Sequence, residues 1–306
     1  MGVISLHGAT DSIMVLETTD PGSNPGGGIL SGRLIDKRSQ GVCHMKTVLL
    51  ATIHHPNISL PQLKQITAAT TKIFSAVYVT ISTVTSPEIT QLLTEETDFH
   101  CQVITPHGAA DARRKVLDFC LQDVDYQANL FYCDFDKVLT AMLTARQTLK
   151  IFVAQLQLTG GYCIIGRNSE VMASYPATWR ETEAITNKAA AVFFALPNLD
   201  ITAGCCAFSQ NAARYIVANS HERLTDTEWP VICKAAGLPI LAARVGFLPF
   251  NEQLNAGRDD HHWHGYTARL ALALQALQSL EQGDVMVHKN LPVKSAQIGW
   301  PFNLKG

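Results

Sequence analysis

The stretch FYCDFDKVLT at 131–140 contains the residues best placed to do chemistry, Asp134 and Asp136. The apolar run before them predicts a buried strand, and the apolar pattern after them predicts a helix. Because side chains alternate along a strand, two aspartates two positions apart at its end would place both carboxylates on one face. Such a pair could bind a hard cation, act in nucleophilic chemistry, or cap the following helix.

Strands and helices alternate through the region that must position these aspartates. Apolar runs predict strands at 48–53, 76–81, 102–104 and 130–133, with amphipathic helices at 60–74, 86–93 and 109–121 between them. This alternation predicts a Rossmann-like α/β domain with a mostly parallel central sheet and helices on both faces. Ligands of such sheets bind at the carboxyl ends of the strands, where Asp134 and Asp136 are expected to lie.

The second half of the chain continues the pattern. It predicts a long helix at 178–195, a strand or edge element through 200–209, and a helix that ends near Lys234. A strand follows at 239–247, and a last amphipathic helix is expected at 265–282. We therefore divide the chain into an extension (1–44), one domain (45–250), and a loop, C-terminal helix and tail (251–306).

Composition excludes several classes of protein. The 306 residues are 47% hydrophobic and 16% charged, and the net charge of −2 argues against a nucleic-acid partner, which would require a basic face. No apolar run approaches the ~20 residues of a membrane span, and the N-terminus lacks a signal peptide's pattern. We expect a soluble, cytoplasmic protein. The turn-rich run DPGSNPGGG at 20–28 predicts that 1–44 is disordered or an over-called start.

Two further groups of residues could bind metal. The eight cysteines are scattered through apolar surroundings without a C-x-x-C pair, which favours buried, reduced thiols over a zinc site. The stretch DDHHWHGY at 259–266 could place His261 and His264 on one helix face, but its position in a predicted loop favours a solvated turn anchored by Trp263.

Motifs in a fixed order give the chain a resemblance to a known family. HGAADARRKVLDFCLQ at 107–122 precedes the D-F-D, as G-x-x-x-A-R-N precedes D-x-D in nucleotide-sugar glycosyltransferases of the GT-A fold. Gly108, Ala112 and Arg113 match this pattern, and Arg114 replaces its asparagine. Gly204 stands where the family has a glycine ahead of a strand and helix, and TDTEWPVICKAAG at 225–237 resembles the family's acidic motif. The resemblance spans about 46–250.

The resemblance implies a GT-A-type fold and transfer of a sugar from a nucleotide diphospho-sugar to an acceptor that the sequence does not identify. Asp136 would bind Mn²⁺ or Mg²⁺, which bridges the donor phosphates, and Asp134 would contact the ribose or the metal. Arg113 would support the base or the phosphates, and Gly108 and His54 would lie beside the nucleotide.

The same resemblance implies an inverting mechanism. In the family's inverting members a carboxylate deprotonates the acceptor hydroxyl, and Asp226 matches that position, with Glu228 as the second candidate. The absence of a Q/R-x-x-R-W signature argues against a processive polysaccharide synthase.

Simpler interpretations stay open for each residue. Asp226 could be the N-cap of its helix, and Asp134 or Asp136 could cap theirs. Arg113 could lie on a solvated helix face, and His54 on the surface. The fold could also belong to a nucleotide-binding or degenerate protein without turnover.

A phosphatase is the remaining alternative. DFDKVLT resembles the D-x-D-G-T/V motif of haloacid-dehalogenase-like phosphatases, in which the first aspartate is the nucleophile. Lys137 replaces the glycine of that motif, and three predicted strands precede it, which argues against this class.

Overall fold

A mixed β-sheet runs through the middle of the protein. The computed structural model describes residues 17–18, 45–124, 128–158, 160–254 and 263–289, with side chains for all of these except 17–18 and 284–289. The strands in this part of the chain are β1 (Glu17–Thr18), β2 (Thr47–Ile53), β3 (Ala76–Ser82), β4 (His100–Ile104), β5 (Asn129–Cys133), β6 (Tyr162–Arg167), β7 (Cys205–Ser209) and β8 (Ile240–Val245).

Helices cover both faces of this sheet. They are α1 (Leu60–Thr70), α2 (Pro87–Glu95), α3 (Ala109–Leu121), α4 (Phe135–Thr144), α5 (Arg146–Gln155), α6 (Ser169–Ala173), α7 (Ala177–Phe194), α8 (Gln210–Asn219), α9 (Thr225–Ala235) and α10 (Trp263–Lys289). α1, α2, α4 and α5 pack on one face, and α3, α7, α8 and α9 on the other. Alternation along β2 explains the two cores, since Leu49 faces the first and Leu50 the second.

The strand order is β1-β8-β6-β7-β5-β2-β3-β4. β2 is parallel to β3 and β5, β3 to β4, and β6 to β8, so the predicted α/β class with a mostly parallel sheet is confirmed. β7 is antiparallel to both β5 and β6. The stretch at 200–209 therefore supplies a central strand rather than an edge, since β7 has a neighbour on each side. All five residues of β7 are buried.

One edge of the sheet collects the residues that could form a site. The carboxyl ends of β2, β3, β4, β5 and β6 lie there, and so does the start of the antiparallel β7, since Cys133 pairs with Cys205. After β2, the strands β3 and β4 are added on one side of it and β5 on the other, so the strand order reverses between β2 and β5. Such switch points form crevices for ligands. Asp134 follows β5 directly at this place.

Local differences from the predicted elements have simple causes. α1 ends at Thr70 rather than 74. Phe74 is buried in the core from the turn after the helix, so its apolar side chain extended the predicted helical pattern too far. α6 was not predicted, since its five residues are too few to show a helical period. Its start is fixed by Asn168, whose side chain accepts a hydrogen bond from the Val171 N–H at 2.8 Å.

The two ends of the chain are described only in part. Within 1–44, Glu17 pairs with Ala242 and Thr18 with Leu241 at the edge of β8, so these two residues join the sheet. The rest of the predicted extension lies outside the described residues, as does the tail from 290. Residues 259–262 of the histidine-rich stretch also lie outside them, and Trp263 begins α10. Among the described helices, none combines the length and apolarity that crossing a membrane requires.

The described cysteines are free thiols in apolar surroundings, as predicted. Cys120 and Cys163 are fully buried, and burial raises the pKa of each thiol to about 12. Cys43 lies outside the described residues. Such thiols contribute packing rather than reactivity at neutral pH.

Candidate active site

Arg113 lies at the centre of the candidate site. It projects from α3, and its side chain is 10% exposed, so the alternative interpretation as a solvated helix face is excluded. Its Nη2 donates to both carboxylate oxygens of Asp134 at 2.8 and 3.0 Å, and its Nη1 donates to Asp226 at 2.9 Å and to Thr225 at 2.8 Å. Burial alone would lower the pKa of the guanidinium, but the two carboxylates raise it well above its ordinary value.

Asp134 is held on several sides. The Tyr132 hydroxyl donates to it at 2.7 Å, and Lys137 Nζ lies 3.4 Å from it. Burial would raise the pKa of this carboxyl, but Arg113 and Lys137 together lower it below its usual range. Asp134 is the N-cap residue of α4, yet its side chain makes no capping hydrogen bond, because these partners take both oxygens.

The two aspartates do not lie side by side on a strand as predicted. β5 ends at Cys133, Asp134 lies in the turn, and Asp136 is in the first turn of α4. Strand alternation instead places Tyr132 and Asp134 on one face, which explains their hydrogen bond. Asp136 is half-buried.

Gly204 permits this arrangement. Its carbonyl accepts a hydrogen bond from the Asp134 N–H at 3.1 Å, and its φ of +62° lies in the left-handed region. A Cβ at this position would come within 3.0 Å of both the Asp134 carboxylate and the Lys137 ammonium. A glycine is therefore required by the backbone and by the ion pair beside it.

Two cavities meet at Asp134 and Asp136, and both residues line each of them. The first, about 420 Å³, lies at the carboxyl ends of β2, β3 and β4 and also contains His54, Gly108 and Arg113. The structure thus brings together all the residues predicted to contact a nucleotide. The second cavity, about 200 Å³, lies between α4, α7, α9 and α10. Its lining also includes Lys137, Thr140, Tyr175, Trp179, Thr182, Glu183, Thr186, Thr202, Asp226, Thr227, Arg269 and Leu272.

The two candidate bases differ in position. Asp226 lines the second cavity, and it is in the first turn of α9 rather than at its N-cap, which is Leu224. Glu228 is buried and lines neither cavity. Its carboxylate accepts hydrogen bonds from the backbone N–H groups of His221 and Glu222, so it fixes the loop before α9. These contacts argue against Glu228 as a base.

Asp134 and Asp136 differ in how closely cations pair with them, and Lys137 acts on both. A metal ion on Asp134 would lie against the positive charges of Arg113 and Lys137, which already occupy that carboxylate. No group of three or more histidine, cysteine or acidic residues in the described part of the chain is arranged to hold a metal. Magnesium bound together with substrate phosphates commonly takes only one or two carboxylates, and Asp136 can supply one.

A second ionic network lies beyond the site and was not predicted. Arg167, the last residue of β6, is fully buried and donates to Asp200 at 2.8 Å and to Glu183 at 2.7 Å. Arg269 of α10 donates to the other oxygen of Glu183 at 3.1 Å. The partners are 16 to 86 residues apart in sequence, so no local sequence pattern predicts their contact. The network fixes Glu183 in the wall of the second cavity.

Comparison with known proteins gives matches of fold. No family model matches the chain, and no curated protein matches it in sequence. Glucosyl-3-phosphoglycerate synthase from Mycobacterium tuberculosis, solved with Mn²⁺, uridine diphosphate and phosphoglyceric acid, matches with a TM-score of 0.49 and 11% identity, over 77% of this chain and 78% of that one. 4-Diphosphocytidyl-2C-methyl-D-erythritol synthase from Anaerococcus prevotii matches with a TM-score of 0.40 and 9% identity, over 75% of this chain and 96% of that one.

These matches are similarities of fold alone, at 9–11% identity. With TM-scores below 0.5, they do not assign a role to any residue of this chain. The function must therefore be argued from the two cavities and the charged groups between them.

Proposed function

We propose that the protein transfers a sugar from a nucleotide diphospho-sugar to a hydroxyl group of an acceptor. The observation that carries this proposal is the pair of cavities that share Asp134 and Asp136 as a common wall. A transferase must hold two substrates with their reacting atoms adjacent, and two chambers that meet at charged groups satisfy that requirement.

The first cavity suits the nucleotide. It lies at the switch point of the sheet, and its wall includes Gly108, the N-cap of α3, which has a φ of +96° and no atom within 4 Å of a Cβ position. The backbone can therefore approach a ligand closely there, and the N-terminus of a helix favours phosphate groups. Arg113 supports the same wall, and His54 and Pro56 flank the space for a base.

Charge explains why a cation accompanies the donor. Three carboxylates at the junction, Asp134, Asp136 and Asp226, face two cations, Arg113 and Lys137, so the cluster has a formal charge of −1. A diphosphate would add to this negative charge. Mn²⁺ or Mg²⁺ on Asp136 would neutralise the phosphates as the glycosidic bond breaks. Asp134 then acts by holding Arg113 and Lys137 rather than by binding metal.

Asp226 is the proposed general base. It lines the second cavity and not the first, so it would approach the acceptor hydroxyl from the side opposite the donor. That position corresponds to inversion at the anomeric carbon. Arg113 fixes the Asp226 carboxylate at 2.9 Å and so orients it. A phosphatase is disfavoured, because both oxygens of Asp134, the would-be nucleophile, already accept hydrogen bonds from Arg113.

The test is thermal denaturation with UDP, GDP, CDP and ADP, each with and without Mn²⁺. A nucleotide that binds only the folded protein should stabilise it by about 2.7 kcal/mol at 100 times its dissociation constant. Asp136→Ala should remove the Mn²⁺-dependent part, whereas Asp118→Ala, an exposed aspartate on α3, should leave it unchanged.

Absence of stabilisation by any of the four nucleotides would contradict the proposal. Stabilisation without release of nucleotide from the corresponding diphospho-sugars would instead identify a nucleotide-binding protein without turnover.

A further inference from the structure

The second cavity has a negatively charged lining. Four of its residues carry carboxylates and two carry cations: Asp134, Asp136, Glu183 and Asp226 against Lys137 and Arg269. With Arg113, Arg167 and Asp200, which are ion-paired with these residues, the whole cluster has a formal charge of −1. Both cations already face acidic partners. Lys137 lies 3.4 Å from Asp134, and Arg269 donates to Glu183 at 3.1 Å. A phosphate or carboxylate in this chamber would therefore meet an unfavourable potential.

Three threonine hydroxyls of the lining already donate their protons to backbone carbonyls. The Oγ1 atoms of Thr140, Thr182 and Thr227 donate to the backbone carbonyls of Asp136, Thr178 and Leu224, at 2.9, 2.6 and 3.2 Å. Since each hydroxyl has one proton, these threonines offer only lone pairs to a ligand. Together with the carboxylates, they make a wall that is rich in acceptors. A ligand that fits it must bring hydrogen-bond donors.

One donor in the lining has no partner. The Trp179 indole N–H is buried and makes no hydrogen bond with the described part of the chain. This nitrogen has almost no accessible surface, so contacts with a ligand in the chamber fall to the threonine oxygens, to which a ligand hydroxyl can donate.

The chamber is also small and partly apolar. Its volume of about 200 Å³ lies below the ~300–1,000 Å³ typical of sites for drug-sized ligands. Leu272, Ala273 and Ala276 of α10 give part of the lining an apolar surface. A compact ring or chain that has both hydroxyls and C–H groups matches this mixture of polar and apolar residues.

We propose, building on the sugar transfer proposed above, that the second cavity selects an uncharged, hydroxyl-bearing acceptor such as a monosaccharide, glycoside or small polyol. Phosphorylated and carboxylated acceptors are disfavoured by the acidic lining.

Matched pairs of ligands test this selection directly, on the full chain and without a nucleotide. Methyl glucoside is compared with glucose 6-phosphate, and glycerol with glycerol 3-phosphate, by saturation-transfer NMR and calorimetric titration. The uncharged member of each pair should bind at least tenfold more tightly, a difference of about 1.4 kcal/mol. Equal or tighter binding of the phosphorylated member, or no binding of any of the four, would overturn the inference.

A lysine placed in the chamber provides the second measurement. Leu272 lines the cavity and Leu274 does not, although both are exposed residues of α10. Leu272→Lys should narrow the preference for the uncharged ligands severalfold, and Leu274→Lys should leave it unchanged. An identical preference in both variants would argue against charge as the cause.

The nucleotide-binding experiment proposed for the sugar transfer distinguishes failure of that function from failure of this inference. A protein that binds UDP with Mn²⁺ but prefers glucose 6-phosphate would retain the proposed function and lose this inference.

Discussion

Replacing Asp134 by asparagine separates two roles for the first aspartate of the pair. If Asp134 anchors Arg113 and Lys137, its charge matters mainly for stability. If it binds metal, its charge matters mainly for nucleotide binding. Asparagine has nearly the same shape and can still accept a hydrogen bond from Arg113, so Asp134→Asn removes the charge without opening a cavity.

The magnitude follows from the surroundings of the carboxylate. Removing one partner of a buried ion pair costs about 3–5 kcal/mol, because the remaining charge stays buried. The Asp134 side chain is 23% exposed, so we expect the lower end, about 3 kcal/mol. For a domain of this size, that loss corresponds to a fall in Tm of roughly 6–12 °C. Asp136→Asn is the comparison variant, and it should cost less than Asp134→Asn, because Asp136 acts on Lys137 more weakly than Asp134 does.

The assay is calorimetry of the three proteins without metal at neutral pH, followed by titration of UDP with Mn²⁺. Asp134→Asn should melt well below the parent, and Asp136→Asn should melt near it while losing the Mn²⁺-dependent binding. Our reasoning would be refuted by an Asp134→Asn protein that melts within about 2 °C of the parent yet no longer responds to Mn²⁺. In that case Asp134 would be a metal ligand.

Four further predictions follow from the same structure. Asp226→Asn should lower the rate of sugar transfer by about 10²–10⁴-fold in a nucleotide-release assay, with UDP affinity little changed, because a general base touches only the acceptor. Gly204→Ala should reduce stability by about 1–3 kcal/mol in urea titration, since a Cβ there combines a positive φ with a clash against the ion pair. Burial raises the pKa of the Cys163 thiol to about 12, whereas the value in the unfolded chain is about 8.5. The free energy of unfolding should therefore fall as pH rises from about 8.5 towards 12, because only the unfolded chain loses the proton. Cys163→Ala should make this fall smaller between about pH 9 and 11, as measured by urea titration at each pH. A chain that starts at Met45 should melt within a few degrees of the full chain, because the described part of 1–44 contributes two residues of edge pairing, and calorimetry would show a larger fall if the segment packs.

The sequence predicts the fold class because the physics behind it is local. Strands buried on both faces are nearly continuous apolar runs, and β2 and β5 have that pattern. The bounds predicted for α3, 109–121, agree with the structure. The direction of β7 could not be predicted, since a short buried strand looks the same whether its neighbours run parallel or antiparallel to it. Its orientation depends on a connection of 37 residues after β6, which contains α7.

The resemblance selects Arg113, Asp134 and Asp226 from three separate motifs, and these residues are in contact in the structure, although their roles stay predictions. Lys137 and Tyr132 were missed as members of the site, although local spacing contains a signal for both. Tyr132 is two residues before Asp134 on a strand, and Lys137 is three residues after it at the start of a helix. The network around Arg167 has no such signal, because its partners meet only in the folded chain.

The contacts of Arg113 change the interpretation of the two aspartates. A pair of acidic residues in a sequence suggests two equivalent metal ligands, but charge in the folded protein makes them unequal. Arg113 joins Asp134 to Asp226 across elements that are 92 residues apart in the chain, so it fixes the wall between the two cavities. Arg113 pairs with Asp134, and Asp136, which lines both cavities, is the aspartate that we propose for the metal. Arg113 also orients the proposed base, so a change at Arg113 should disturb donor binding and acceptor activation together, whereas changes at Asp136 or Asp226 should disturb mainly one of them.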